Sequence, residues 1–242
     1  MANVYYEPGE NRAARVSELF GRIAPRYDLI NDLQSFGLHR LWKHRVARLA
    51  RPTPGCRALD VCCGTGDIAL ALAGRGARVT GLDFSEPMLS VARRRAERFG
   101  ARTGLSAPEF IRGDAMALPF PHNSFDIVTI GYGLRNLAGW EAGLEEMCRV
   151  ARPGGRVLAL DFGKPSNPLW RAAYVAYLRV CVPIFGLTFC RDAQAYAYIL
   201  ESLRQFPAQH GIAAKMRGLG LRDVRVFEPL GGAMGLNVGI KV

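Results

Sequence analysis

The chain has 242 residues, of which 49% are hydrophobic and 22% charged, with a formal net charge of +11. That length and composition exclude wholesale disorder and a short disulfide scaffold, and they fit a single domain over 1–242 with one full core. The positive balance implies attraction to something anionic, whether nucleic acid, an acidic substrate or a phospholipid surface, and charge alone does not choose among these.

From Arg12 to about Ala50 the apolar residues recur at intervals of three and four, which predicts two or three helices punctuated by Pro25 and Gly37. This N-terminal helical lid, 1–51, carries the densest basic run, from Arg40 through Lys43, Arg45 and Arg48 to Arg51, with no acid after Leu33. The pattern then changes to short apolar runs alternating with helical stretches. Strands are expected at 58–62, 79–82, 109–111, 125–130 and 156–161, with helices at 67–74, 87–99 and 140–151 between them. Such buried strands joined by crossover helices predict an α/β fold with a parallel, doubly wound sheet in a core spanning 57–162. A helical region follows over 164–218. Two further strands, 223–227 and 236–242, should form a terminal hairpin within 219–242 containing one antiparallel strand. The most apolar stretch, 172–190, contains Arg179 and Pro183 and is too short to span a bilayer, so a cytoplasmic protein is expected, soluble or peripheral on the membrane. A core helix is the alternative reading of 172–181, since apolar residues at helical spacing usually face the protein's own interior. The six cysteines show no C-x-x-C spacing and no signal peptide precedes them, so neither a metal site nor a disulfide framework is expected.

Chemistry concentrates at the first βα turn. Asp60, Gly64, Thr65 and Gly66 lie on a loop that follows the first strand and opens a helix, and the small residues let a ligand approach the backbone. A tight turn without a ligand would use the same residues, and Gly64, Gly66 and Ala69 also satisfy the dinucleotide spacing. Asp67 discriminates: a carboxylate at the helix N-terminus would repel a pyrophosphate. With Asp60 it favours a ligand carrying an ammonium and a sulfonium, as S-adenosyl-L-methionine does. Asp83 ends the second strand, where a carboxylate can accept a ribose diol's hydrogen bonds, or cap the next helix. Asp114 and Ala115 close the third strand, in position to meet an adenine edge.

Together, the acidic glycine loop, Asp83, the Gly113-Asp114-Ala115 turn, Phe125-Asp126-Ile127-Val128 and Arg152-Pro153-Gly154-Gly155 resemble a class I methyltransferase. The resemblance implies a Rossmann-like seven-stranded, mostly parallel sheet of order 3-2-1-4-5-7-6, with N-terminal helices and a helical insertion after strand five. Two further segments, 27–43 and Gly133-Leu134-Arg135-Asn136-Leu137, look like the ubiquinone/menaquinone biosynthesis C-methyltransferase family, and the likeness runs over 16–242. It implies S-adenosyl-L-methionine as methyl donor and a polyprenylated quinol as acceptor, leaning toward demethylmenaquinol over the ubiquinone branch. Carried over by position, the family's cofactor contacts fall on Thr65, Asp83, Asp114, Ala115 and Gly131, and His39, Tyr27 and Tyr198 fall on a lid or acceptor wall. The chain departs from the family at Gly131, where Ser is common, at Asp161, where Glu is usual, and at Asn237, where His is common.

An aromatic carbon attacks a methyl sulfonium only when an adjacent hydroxyl, with an ordinary pKa near 10, surrenders its proton. Arg135, permanently charged, could hold the phenolate, and Asn136 could orient the second oxygen. Tyr27 and His39 complete the candidate catalytic set, and the proton acceptor stays open. His122 reads as a loop residue. A membrane-borne substrate gives the basic charge and the apolar 170–189 region a common purpose in contact with an anionic membrane surface. Nucleic acid is not expected as a partner, since the strand-four motif of base methyltransferases is absent. The sequence is compatible with a homo-oligomer and does not specify one.

Overall fold

The computed structural model describes residues 20–21, 27–190 and 194–242. The alternating apolar and helical segments build one sheet from β1 (Arg57–Val61), β2 (Arg78–Asp83), β3 (Glu109–Arg112), β4 (Phe125–Gly131), β5 (Ala151–Phe162), β6 (Arg222–Phe227) and β7 (Met234–Ile240). Its order is β3-β2-β1-β4-β5-β7-β6. The β1–β5 neighbours pair in parallel, whereas β7 runs antiparallel to both β5 and β6. The order and the antiparallel ending agree with the sequence-based expectation.

Burial explains why these runs are strands. β1 is buried from Ala58 onward because helices cover both faces of a central parallel strand. β6, at the edge, alternates exposed Arg222, Asp223 and Arg225 with half-buried Val224 and Val226, and such charges blunt an open edge. Two boundaries differ from expectation. β5 starts at Ala151, which pairs with Phe125 before the chain loops out through Gly154 at φ 78° and rejoins β4 at Arg156 opposite Ile127. β7 starts at Met234 because its ladder continues to Phe162 at the carboxyl end of β5.

On one face pack α2 (Leu38–Leu49), α3 (Asp67–Ala73) and α4 (Glu86–Thr103), burying Trp42, Val46, Ile68, Leu72, Leu89 and Ala92. The other face is covered by α5 (Trp140–Val150), α7 (Gln194–Gln205) and α8 (Ala208–Gly218), with Leu144, Met147, Leu203 and Ile212 in its core. Across the carboxyl ends of the strands lie α1 (Tyr27–Ser35) and the long α6 (Pro168–Cys190). Gly37, at φ 74°, makes the turn from α1 into α2. The Tyr177 hydroxyl on α6 donates to the Gln34 carbonyl on α1 at 2.6 Å, tying the two covering elements together. The core-helix reading of the apolar stretch holds for one face of α6. Tyr174, Leu178 and Val182 form a buried stripe at a spacing of four, while Val180, Ile184 and Leu187 face solvent. Among the described residues, no helix is long and apolar enough to cross a membrane.

Candidate active site

The loop after β1 turns through Cys62 at φ 51°, Gly64 at φ 54° and Gly66 at φ 86°. A Cβ on Gly66 would strike the Phe110 ring at 2.8 Å, whereas one on Gly64 would meet nothing within 4 Å and would project into open space. The backbone at Gly64 is therefore bare where a ligand can lie. Asp83, ending β2, accepts the Gly64 N–H at 2.8 Å and the Ser85 N–H at 2.9 Å, so it clamps the glycine loop and the turn that leads to the next helix, whose start has no side-chain cap. Burial pushes its carboxyl above the usual range, and those N–H groups pull it back.

A cavity of about 120 Å³ opens at this point, and Gly64, Asp83, Asp114, Ala115 and Gly131 all line it. The structure thus gathers these sequence-predicted positions from four βα turns. Phe84, half exposed under the Arg112 guanidinium, and Met116 and Leu137 add apolar walls that the sequence reading missed. Only Phe84 carried a signal, as an aromatic directly after the strand-two acid. The residues fit an adenosyl group: a bare glycine turn, a carboxylate with lone pairs to spare, a ring-sized apolar slot, and the orphaned buried Oγ of Ser85 and Oδ1 of Asn136.

Three loop residues do not line this cavity. Asp60 is fully buried beneath the loop, where its carboxylate accepts the Thr129 hydroxyl at 2.8 Å and the Ala69 N–H at 3.1 Å, pinning the start of α3. Burial raises its pKa to about 7, against the opposing pull of those hydrogen bonds. The Thr65 hydroxyl donates to Asp28 on α1 at 2.8 Å, fastening the loop to the lid. Gly66 packs against Phe110. Asp67 also differs from expectation. Its carboxylate is clamped by Lys43 at 2.7 Å and Arg95 at 2.5 Å, which keep it ionised despite burial and cancel its charge. Asp67 therefore selects no cationic ligand. The paired thiols Cys62 and Cys63 are held well above the ordinary thiol range by burial and have no nucleophilic character.

Next to this cavity lies a second, of about 410 Å³, mostly apolar, between α1, α2, α6 and the ends of β4 and β5. Phe20 and Tyr132 line both. Tyr132 adopts φ 61°, a conformation a bulky residue rarely takes, and its N–H is fixed to the Leu160 carbonyl at 2.7 Å. Tyr132, Tyr174, Tyr177 and Trp170 in this wall had no local sequence signal.

Arg135, on the 3-10 turn Leu134–Asn136, lines the larger cavity but does not offer an unbalanced charge. Its Nη1 donates to Asp161 at 2.7 Å and to the Tyr132 carbonyl at 2.7 Å. Its Nη2 donates to the Tyr198 hydroxyl at 3.2 Å, and the guanidinium stacks 4.7 Å from the Phe162 centroid. The expected phenolate clamp is thus a donor array already neutralised by Asp161. Asn136 departs from expectation: it lines the smaller, donor-side cavity, with Nδ2 donating to the Tyr132 carbonyl at 3.0 Å. It cannot orient an acceptor oxygen from there.

His39 lines the larger cavity, and its Nε2 lies 2.8 Å from the Asp32 carboxylate. The Arg40 fork holds Asp32 down at about 2, with help from His39, so it is ionised. Burial, followed by the Lys43 charge, lowers the His39 pKa, so the ring is neutral near pH 7 with Nε2–H directed at Asp32. Nδ1 is buried and carries no hydrogen-bond partner. Tyr27 opens α1, but its side chain lies outside the described residues, as do 1–19 and 22–26 of the expected lid. His122 is exposed, away from both cavities, and Asn237 is buried with its Nδ2 on the Gln209 carbonyl.

The fold is shared with solved structures at low identity. A S-adenosylmethionine-dependent methyltransferase of Thermotoga maritima superposes with TM-score 0.65 at 18% identity, covering 94% of this chain and 100% of its own. One from Aquifex aeolicus gives 0.63 at 18%, covering 92% and 98%. Sequence relatives are closer. Demethylmenaquinone methyltransferases of Listeria welshimeri and Desulfitobacterium hafniense are each 40% identical to this chain over 96% of its length, covering 98% and 92% of theirs. The sequence pattern of the ubiE/COQ5 methyltransferase family matches residues 9–241, and the chain belongs to that family.

Proposed function

We propose that this methyltransferase moves the methyl group of S-adenosyl-L-methionine onto a ring carbon of a prenylated quinol, demethylmenaquinol before any benzoquinol. The observation that carries the reading is the pair of adjoining cavities sharing Tyr132 and Phe20, one edged by Gly64 and Asp83, the other apolar with Arg135 and His39 on its wall. When bound, the cofactor supplies an electrophilic methyl group on sulfur. Gly64, Asp83, Asp114 and Ala115 hold its adenosyl portion, while Tyr132 and Phe20 mark where the two compartments meet and the methyl group passes.

The larger cavity accepts the quinol ring and excludes bulk water. The Arg135 array, held by Asp161, donates to one quinol oxygen as negative charge grows there. His39, kept neutral and oriented by Asp32, takes the hydroxyl proton. The ring carbon bonds to the methyl group as that group's bond to sulfur breaks and the electron pair stays on sulfur as a neutral thioether. The ring carbon then loses its hydrogen as a proton toward the open rim, which restores the aromatic ring, and His39 returns its proton to the oxygen. The prenyl tail leaves between Phe36, Trp170 and Leu230, which line the cavity and also reach solvent. These exposed apolar residues, with Leu169, support reversible contact with an anionic membrane surface, where the tail already resides.

Purified protein given labelled S-adenosyl-L-methionine with demethylmenaquinol or a methoxylated prenyl-benzoquinol in detergent tests the reading. Label in the naphthoquinol ring supports it. Label only in the benzoquinol shifts the substrate to the ubiquinone branch, and label only in added RNA overturns it.

A further inference from the structure

A cleft of about 490 Å³ lies on the opposite side of α2 from the acceptor cavity, with α3 and α4 as its other walls. The partition follows from helix geometry. Leu38, His39 and Trp42 face the acceptor cavity, whereas Arg40, Lys43 and His44 face the cleft. Arg75 just past the end of α3 and Arg95, Arg98 and Arg102 on α4 complete a ring in which Asp67 is the one acid.

That single acid is already committed, to Lys43 and Arg95. Arg40 is matched by Asp32. Arg75, Arg98 and Arg102 have no carboxylate within salt-bridge distance among the described residues, and Arg75, in the turn after α3, spends one donor on the Ala71 carbonyl of that helix. Three guanidinium groups without counter-charges therefore converge on one concavity, with Phe99 and Leu70 as an apolar floor. The catalytic reading uses none of Arg75, Arg98 or Arg102.

Like charges gathered around one concavity repel one another and raise the local potential even where, as here, Arg75, Arg98 and Arg102 are exposed to solvent, and a multiply charged anion relieves that cost. Guanidinium forks match phosphate oxygens two at a time, which a diffuse ionic atmosphere does not exploit. We propose that this cleft is a binding site for a phosphate-bearing anion of two or more charges, held chiefly by Arg75, Arg98 and Arg102. The ligand chemistry is a diphosphate or an anionic phospholipid headgroup. The site is independent of which quinol is methylated, so its failure would leave the methyltransferase reading untouched.

The test uses the full-length protein with pyrophosphate as the soluble probe, titrated calorimetrically at constant ionic strength. A second arm measures co-sedimentation with phosphatidylcholine vesicles, with and without phosphatidylglycerol. The variant is R98E/R102E. The control, R222E/R225E, makes the same change in net charge on the exposed edge strand β6. Both must keep the wild-type melting transition, and R98Q/R102Q replaces the first variant if it does not. We expect one pyrophosphate per chain, bound at least about tenfold more weakly by the cleft variant, with the control close to wild type. Vesicle binding that follows the same ranking and is competed by pyrophosphate assigns the site to a headgroup. Pyrophosphate binding without it assigns a soluble ligand. Equal weakening in both charge variants, no binding of either probe by the wild type, or preferential binding of RNA would overturn the proposal.

Discussion

The Arg135 guanidinium lies 2.7 Å from the Asp161 carboxylate, with both side chains shut off from solvent at 3% and 2% exposure. A buried pair gains little over an apolar replacement of the same size, yet breaking it strands a charge at a cost of about 3–5 kcal/mol. Asp161→Ala and Arg135→Ala should each lower unfolding stability by about that amount in urea titrations, while Arg135→Met with Asp161→Leu recovers much of it. Methyl transfer should stay lost in the double variant. Recovered activity alongside recovered stability would reduce the pair to a structural role.

His39 predicts an acid limb. Its folded pKa lies below 6.5, so the neutral ring contributes stability above that pH, and the contribution is lost as pH falls and the unfolded chain takes the proton first. The groups facing it are Asp32, Lys43 and Asp67, with Arg40 behind Asp32. The kcat profile of the wild type should fall off on the acid side, below pH 6.5. His39→Gln should be slower by about 10²-fold or more and should lose that limb. An acid limb that persists in the variant assigns proton acceptance elsewhere.

Sequence periodicity carried the fold, because strand and helix periods are local properties and the βα unit repeats them. Gly64, Asp83, Asp114 and Gly131 were legible for the same reason, since each follows the carboxyl end of a strand and so reaches one edge of the sheet. Asp67 was misread because a sequence displays a charge but not its counter-charge. Lys43 and Arg95 arrive from helices 24 and 28 residues away. Arg135 and Asn136 are neighbours yet line different cavities, because successive residues of a 3-10 turn point about 120° apart. Of the acceptor wall, His39, Arg135 and Tyr198 were legible, whereas the rest was hidden because it is joined across contacts such as Tyr177 to Gln34, 143 residues apart.

Asp60 has the opposite pH sign to His39. Its folded pKa of about 7 exceeds its ordinary 3.8, so the folded state is favoured below pH 4 and progressively penalised as pH rises toward 7. Asp60→Asn keeps an acceptor for the Ala69 N–H and removes the buried charge. Chemical denaturation at pH 5 and pH 8 should show the variant gaining on wild type at the higher pH. A constant difference between the two would mean that Asp60 does not titrate in this range.

Gly131 leaves room for the Ile68 side chain. A Cβ there would stand 2.6 Å from the Cδ1 of Ile68, at the carboxyl end of β4. Gly131→Ser should therefore cost about 1–2 kcal/mol of stability through overpacking. Adding Ile68→Val removes the offending methyl group, so the double variant should melt above Gly131→Ser. If the second substitution lowers the transition further, crowding is not the reason for glycine here.

Phe36 and Leu169 are 82% and 84% exposed; Phe36 lines the larger cavity and Leu169 precedes Trp170 of its wall, so both fall on the proposed path of the tail and on the proposed membrane contact. Neither packs into the core, so serine at both positions should leave the melting transition nearly unchanged. Each apolar side chain buried against lipid or prenyl is worth about 1.5–3 kcal/mol at full burial, and partial burial of two predicts about a tenfold rise in KM for a long-tailed quinol in vesicles. A short-tailed quinol in detergent, which needs neither the rim nor the bilayer, should keep its kcat within about twofold. The split between the two substrates is the decisive readout. Equal losses for both would place the defect in the ring cavity, and equal retention would show that the tail and membrane meet another face of the protein.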